Sequence, residues 1–207
     1  MQRFTPSAAV LLLAFASAAM AVPDENGNLV APGEAEAGVS SDGEMASRLH
    51  YNVGFERFEQ ARRLEMEGAS LKGAAAKQND TEVLQGMREA RDKFRAATAA
   101  NPSMKEAWNM VGYTSRRLGD YQESLSAYDK ALALAPDYPE AIEYRAELFV
   151  LTGKFEEARA AYAQLQKSSP SYADTLKQSM RDWAKRKDAP GSNAPGRDAF
   201  VAWMGKL

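Results

Sequence analysis

Glu143 and Glu147 stand one helical turn apart, the spacing that an acid–base pair or a divalent cation would use. Their neighbourhood supplies no histidine and no third ligand type, so the pair reads instead as a charged helix face. His50 is the only histidine, and the chain has no cysteine. Disulfides, thiolate nucleophiles, iron–sulfur clusters, cysteine-based zinc sites and multi-histidine metal sites are therefore excluded, and a serine triad would hang on one residue. Gly68 to Gly73 has the glycine spacing of a phosphate loop, but Ala74 and Ala75 stand where lysine and a hydroxyl residue are required. His50 reads as a packing residue beside an aromatic helix face, and the nine methionines as core filling. The expectation is a non-enzyme with no metal and no cofactor.

The elements that carry these residues belong to a chain of 207 residues, 45% hydrophobic and 26% charged, which suits an ordinary globular domain with a real core. A formal net charge of −2 offers no bulk attraction for nucleic acid or an anionic membrane. Arg3, the apolar run from Ala8 to Phe15 and the small residues Ala19 and Ala21 form the pattern of a secretory signal peptide over residues 1–21, cleaved after Ala21. The run falls short of the ~20 residues that span a bilayer, so no integral membrane segment is expected after cleavage. An exported chain without cysteine points to a periplasmic or secreted protein. Residues 22–43 carry prolines, glycines and acidic side chains with no basic residue, and are expected to be a disordered leader.

The remainder repeats itself. Ala90, Phe94, Ala97 and Pro102 recur 34 residues later as Ser124, Tyr128, Ala131 and Pro136, and again as Ala158, Tyr162, Leu165 and Pro170. Gly112 and Ala146, Gly119 and Gly153, and Tyr121 and Phe155 obey the same offset. Small residues at facing positions let two antiparallel helices approach, the aromatic fills the gap beside them, and glycine and proline end the helices. This period and pattern resemble the tetratricopeptide repeat, with Trp108, Val111, Gly112 and Ser115 in the W-x2-L-G-x2-Y places and Ile142, Arg145, Ala146 and Phe149 in the next copy. The resemblance implies an all-α, right-handed helix-turn-helix solenoid with two clear repeats, 105–138 and 139–172. A degenerate first repeat at 44–104 contains a 24-residue insertion between Gly54 and Ala90, read as a long first helix followed by a loop around Gly73.

Helices are expected near 44–70, 80–100, 105–118, 121–134, 139–152, 155–168 and 173–187, the last a capping helix whose Lys185-Arg186-Lys187 run suits the helix dipole. Ser41-x-x-Glu44 and Asn79-Asp80-Thr81-Glu82 read as helix starts. Residues 188–196 hold two Ala-Pro-Gly steps and read as a flexible tether. In the tail, 197–207, Phe200, Trp203, Met204 and Leu207 fall on one helical face and are expected to dock, with the cap helix near Trp183 favoured over a partner protein.

The resemblance further implies a concave groove that binds a partner peptide or helix. Its lining is expected to be Tyr51, Phe55 and Phe58 in the degenerate copy, then Asn109, Tyr113 and Arg116, then Glu140, Glu143 and Glu147, with Lys177 and Arg181 on the cap. The last two glutamates are expected to be exposed. Such a groove suits a segment with apolar anchors and a basic residue better than a peptide's terminal carboxylate. The favoured role is an interaction adaptor or scaffold of the cell envelope, its partner another envelope protein and not nucleic acid. Self-association as a structural module and, after it, a small-molecule binder or enzyme stand as alternatives. Processing is directly testable: protein recovered from the envelope should begin at Val22 by amino-terminal sequencing, and an intact Met1 would contradict the export signal.

Overall fold

The computed structural model describes residues 40–207, together with the backbone of residues 22–23 and 29–30. The export signal at residues 1–21 and most of the acidic leader lie outside the described residues. Within that leader, β1 (Val22–Pro23) pairs antiparallel with β2 (Leu29–Val30), Val22 opposite Val30, so the stretch expected to lack structure contains a short ladder. From Val39 onward the chain forms a separate compact unit.

Eight helices make up that unit: α1 (Ser41–Gly68), α2 (Gly73–Ala100), α3 (Lys105–Arg117), α4 (Tyr121–Leu134), α5 (Pro139–Leu151), α6 (Phe155–Ser168), α7 (Pro170–Lys185) and α8 (Arg197–Met204). They pack as successive antiparallel hairpins, α1 on α2, α3 on α4 and α5 on α6, with α7 closing the stack. This is the all-helical solenoid of tetratricopeptide type that the period implied.

Close approach within the first two hairpins follows from one small residue facing one large ring. A Cβ at Gly112 would lie 2.5 Å from a ring carbon of Tyr128, which is fully buried. Ser124, one turn earlier on α4, donates its hydroxyl to the Gly112 carbonyl at 2.8 Å. Gly54 faces Phe94 in the same way, with 2.9 Å to a ring carbon, so the longer pair α1 and α2 uses the same close contact. Gly119 ends the first helix of its repeat with φ +83°, a conformation that side chains with a Cβ resist.

Several boundaries depart from expectation for local reasons. The Ser40 hydroxyl accepts from the Gly43 amide at 3.1 Å, so Ser40 rather than Ser41 caps α1. Helix α2 starts at Gly73 instead of near Asn79, because Ala74, Ala75 and Ala76 are the strongest of helix formers and carry the helix back to the turn. Thr81, read as part of a cap, is interior and donates to the Lys77 carbonyl at 2.9 Å. The insertion therefore lengthens both helices to 28 residues, against 13 and 14 in the following repeat, and leaves only a short turn before Gly73. Pro170 sits in the first turn of α7, where its missing N–H costs nothing, so the cap helix begins at 170 and not 173.

The tether and tail are ordered. Trp183 donates its indole N–H to the Pro190 carbonyl at 2.8 Å, and Ala189 and Ser192 are buried, so residues 188–196 form packed turns rather than a loose linker. On α8, the fully buried Phe200 stacks on Phe155 at 4.7 Å and meets Trp183 edge-on at 6.1 Å. Trp203 lies 5.7 Å from Tyr162, and Met204 is buried. Leu207 is 37% exposed and stands apart from this contact.

Replacing Gly112 with leucine should drive Tyr128 from its site and cost about 3 kcal/mol of unfolding free energy. An unchanged urea midpoint would show that α3 and α4 are not held at this distance.

Candidate partner-binding groove

Tyr51, Phe55 and Phe58 occupy successive turns of α1, so one face of that helix carries three rings. Tyr51 and Phe55 stack at 6.2 Å, Phe55 and Phe58 lie 5.9 Å apart, and Phe58 meets Tyr113 of α3 edge-on at 5.2 Å. Tyr113 in turn meets Tyr144 of α5 at 5.0 Å. The result is a continuous line of rings across α1, α3 and α5, of which Phe55, Phe58, Tyr113 and Tyr144 line a groove of about 510 Å³ that α7 walls with Tyr172, while Tyr51 packs 5.5 Å from Phe94 and lies outside the lining. Phe55 is 42% exposed, whereas Phe58 is buried.

Arg116 anchors the floor. Its guanidinium lies 2.6 Å from the Glu147 carboxylate and within 5.1 and 5.9 Å of the Tyr113 and Tyr144 ring centres. Both ends of this pair are largely shielded from water. Burial pulls the Arg116 pKa down, but Tyr128 and Glu147 outweigh it, and the guanidinium stays charged. An ion pair so enclosed fixes geometry more than it adds stability, and losing one end would strand the other.

Glu143 is 2% exposed and makes no ion pair among the described residues, and the Glu147 side chain is only 18% exposed, which overturns the expectation that the two are freely solvated. The reason is that α5 is packed by α3 on one side and α7 on the other, so position 143 faces protein. Burial, then the neighbouring Glu147 carboxylate, push its pKa up to about 8, with Arg116 opposing, so the protonated carboxyl is favoured at neutral pH. Reversing both charges to lysine would bury two ammonium groups beside Arg116 and unfold this end of the chain, instead of leaving folding untouched.

Glu140 is half-buried and accepts the Tyr172 hydroxyl at 2.5 Å. Asn109 is 3% exposed and does not line the groove. Lys177 is held by Asp174 at 3.0 Å, and Arg181 is exposed. Sequence reasoning missed Tyr144 and Tyr172, which the fold brings to the groove. Tyr144 was legible as the neighbour of Glu143, had the inner face of α5 been drawn one residue wider. Tyr172 became reachable only once α7 began at Pro170. Among the described residues, no group of three or more acidic or histidine side chains is placed to hold a metal, and no helix is long and apolar enough to cross a membrane.

Residues 84–139 and 116–173 match the family model for the tetratricopeptide repeat. This segment is a tetratricopeptide repeat array. Over 106 residues, 51% of its length, the chain is 32% identical to protein FlbA of Caulobacter vibrioides. Over 75 residues, 36% of its length, it is 35% identical to the TPR repeat-containing thioredoxin TTL4 of Arabidopsis thaliana. These alignments span only 17% and 11% of the two relatives, so the chain matches a small part of each. Repeats of this family generally mediate protein–protein interaction, and the matched residues include Tyr113, Arg116, Tyr144 and Glu147 of the face described above, while the rings of α1 lie outside them.

The raised Glu143 pKa has a definite sign for stability. Its neutral form favours folding, so that contribution is whole below the unfolded value near 4.5 and is lost as pH rises to about 8. Glu143→Gln removes the linkage: the variant should gain melting temperature over wild type steadily between pH 5 and 8.5. A pH-independent difference would place the carboxyl in solvent.

Proposed function

We propose that this protein is a non-catalytic adaptor of the cell envelope whose concave groove holds a segment of a partner protein. The observation that carries this reading is the ring line from Tyr51 to Tyr144, which includes the exposed Phe55 beside the groove. Exposed aromatic rings beside fixed polar groups are the composition of interface anchors. The rings supply large contact area with few rotors to freeze, and the Arg116–Glu147 pair holds the floor rigid beneath them. The envelope location rests on the signal-like pattern of residues 1–21, and the partner is accordingly an exported or envelope protein.

Self-association is a second reading, favoured by Met45, Leu49 and Met66, which α1 exposes at 72%, 62% and 64%. A concentration-dependent mass in solution would support it.

The groove reading is tested by a photo-crosslinking residue at position 55 followed by recovery from envelope extract. One partner should be captured in stoichiometric yield, and Phe55→Ser, at an exposed site that folding tolerates, should weaken its binding by about 30-fold, or ~2 kcal/mol. Undiminished affinity would remove the groove as the site.

A further inference from the structure

We infer that the partner segment presents a lysine or arginine side chain to Glu143, and that this cation replaces the proton on the carboxyl as the segment binds. The inference rests on the reading of the groove as the binding surface and assigns that surface its chemistry and its control.

Charge complementarity within the groove carries it. Each cation at the groove is already engaged by an acid of the same chain: Arg116 by Glu147 at 2.6 Å, Arg117 by Glu65 at 2.6 Å, and Arg62 by Glu59 at 3.3 Å. Arg116 and Arg62 are also covered by rings, with Tyr113 and Tyr144 around the first and Phe58 under the second. Glu143 is the carboxyl left over. It is 2% exposed and lines the groove, yet among the described residues it makes no ion pair, since Arg116, the cation near enough to act on it, is bound to the neighbouring Glu147. Such a group has two ways to be satisfied: it keeps a proton, or it receives a cation from outside. A basic side chain entering past Tyr144 and Tyr113 would meet ring faces along its stem and the carboxyl at its head.

The exchange makes binding depend on pH, and the groups around Glu143 leave it as the site of titration. On α5 it faces Glu140, Tyr144 and Glu147; α3 presents Arg116 and Tyr113, α7 presents Tyr172, and α1 presents Glu59 and Arg62 across the groove. Arg116 stays charged, and Tyr144 and Tyr172 are both pushed up to about 12, the first by burial and the second by its bond to Glu140. A bound ammonium favours the ionised carboxyl, so each segment taken up releases one proton, and affinity rises with pH until Glu143 is ionised without help.

The test uses two synthetic peptides, Ac-Ala-Leu-Lys-Leu-Ala-amide and its norleucine counterpart, titrated calorimetrically against the whole protein between pH 6 and 8.5. The lysine peptide should bind more tightly than the norleucine peptide and gain up to about tenfold per pH unit in the lower part of this range. Titrations in buffers of different ionisation enthalpy should show close to one proton released per peptide near neutral pH. Glu143→Gln, which copies the neutral carboxyl in shape, should abolish both the lysine preference and the pH dependence. Equal binding of the two peptides to wild type, or a lysine preference that survives Glu143→Gln, overturns the inference while leaving the groove as a binding surface. Binding of neither peptide overturns it as well, and absence of any crosslink from position 55 would then remove the groove reading with it.

Discussion

The distance between the two helices of a repeat is the constraint on which the rest of this structure depends. Gly112 against Tyr128, and Gly54 against Phe94, bring backbone and ring surface together where any Cβ would intrude. That spacing decides how far apart the first helices of consecutive repeats lie, and so whether rings on α1, α3 and α5 can touch. The contact between Phe58 and Tyr113 joins two helices, α1 and α3, that are each backed by such a small-to-large pair. The groove inherits its order from the core beneath it.

Polar groups add a second layer to the same arrangement. Arg116 reaches from α3 to Glu147 on α5, joining consecutive repeats where apolar packing alone would leave their relative rotation loosely defined. Farther out, Arg117 reaches back to Glu65 and ties the long first hairpin to the first clear repeat. An isolated hairpin as tall as α1 and α2 would lean freely at its upper half. This ion pair, though half-exposed and individually weak, acts where few other contacts cross.

Most of the helical architecture was legible because it is periodic. The positions 34 residues apart repeat small, aromatic and turn-forming residues whose roles follow from helix packing, and α4 and α6 end where the pattern ends them. The first hairpin was harder, since its insertion breaks the period; Ala74 to Ala76 favour helix through intrinsic propensity, a signal weaker than the cap-like Asn79-Asp80-Thr81 that drew the boundary inward. In the groove, registration with the repeat family selected Phe55, Tyr113 and Arg116, which line it, together with Tyr51 and Asn109, which do not. It could not reveal that Glu143 is enclosed, because enclosure depends on α7 closing against α5, a contact between residues far apart in sequence. A glutamate on an exposed face and a glutamate under a neighbouring helix look the same until the third helix is placed.

The seating of Phe200 between Phe155 and Trp183 bears on how this protein can be handled. Judged by the repeat pattern alone, the chain could be trimmed after the cap helix, at Lys187, and everything beyond discarded as a tail. Such trimming would leave Phe155 and Trp183 open to water, and the shortened protein would tend to aggregate during purification even with each repeat intact. An affinity tag fused after Leu207, which is 37% exposed and stands apart from the Phe200 contact, leaves that seal undisturbed.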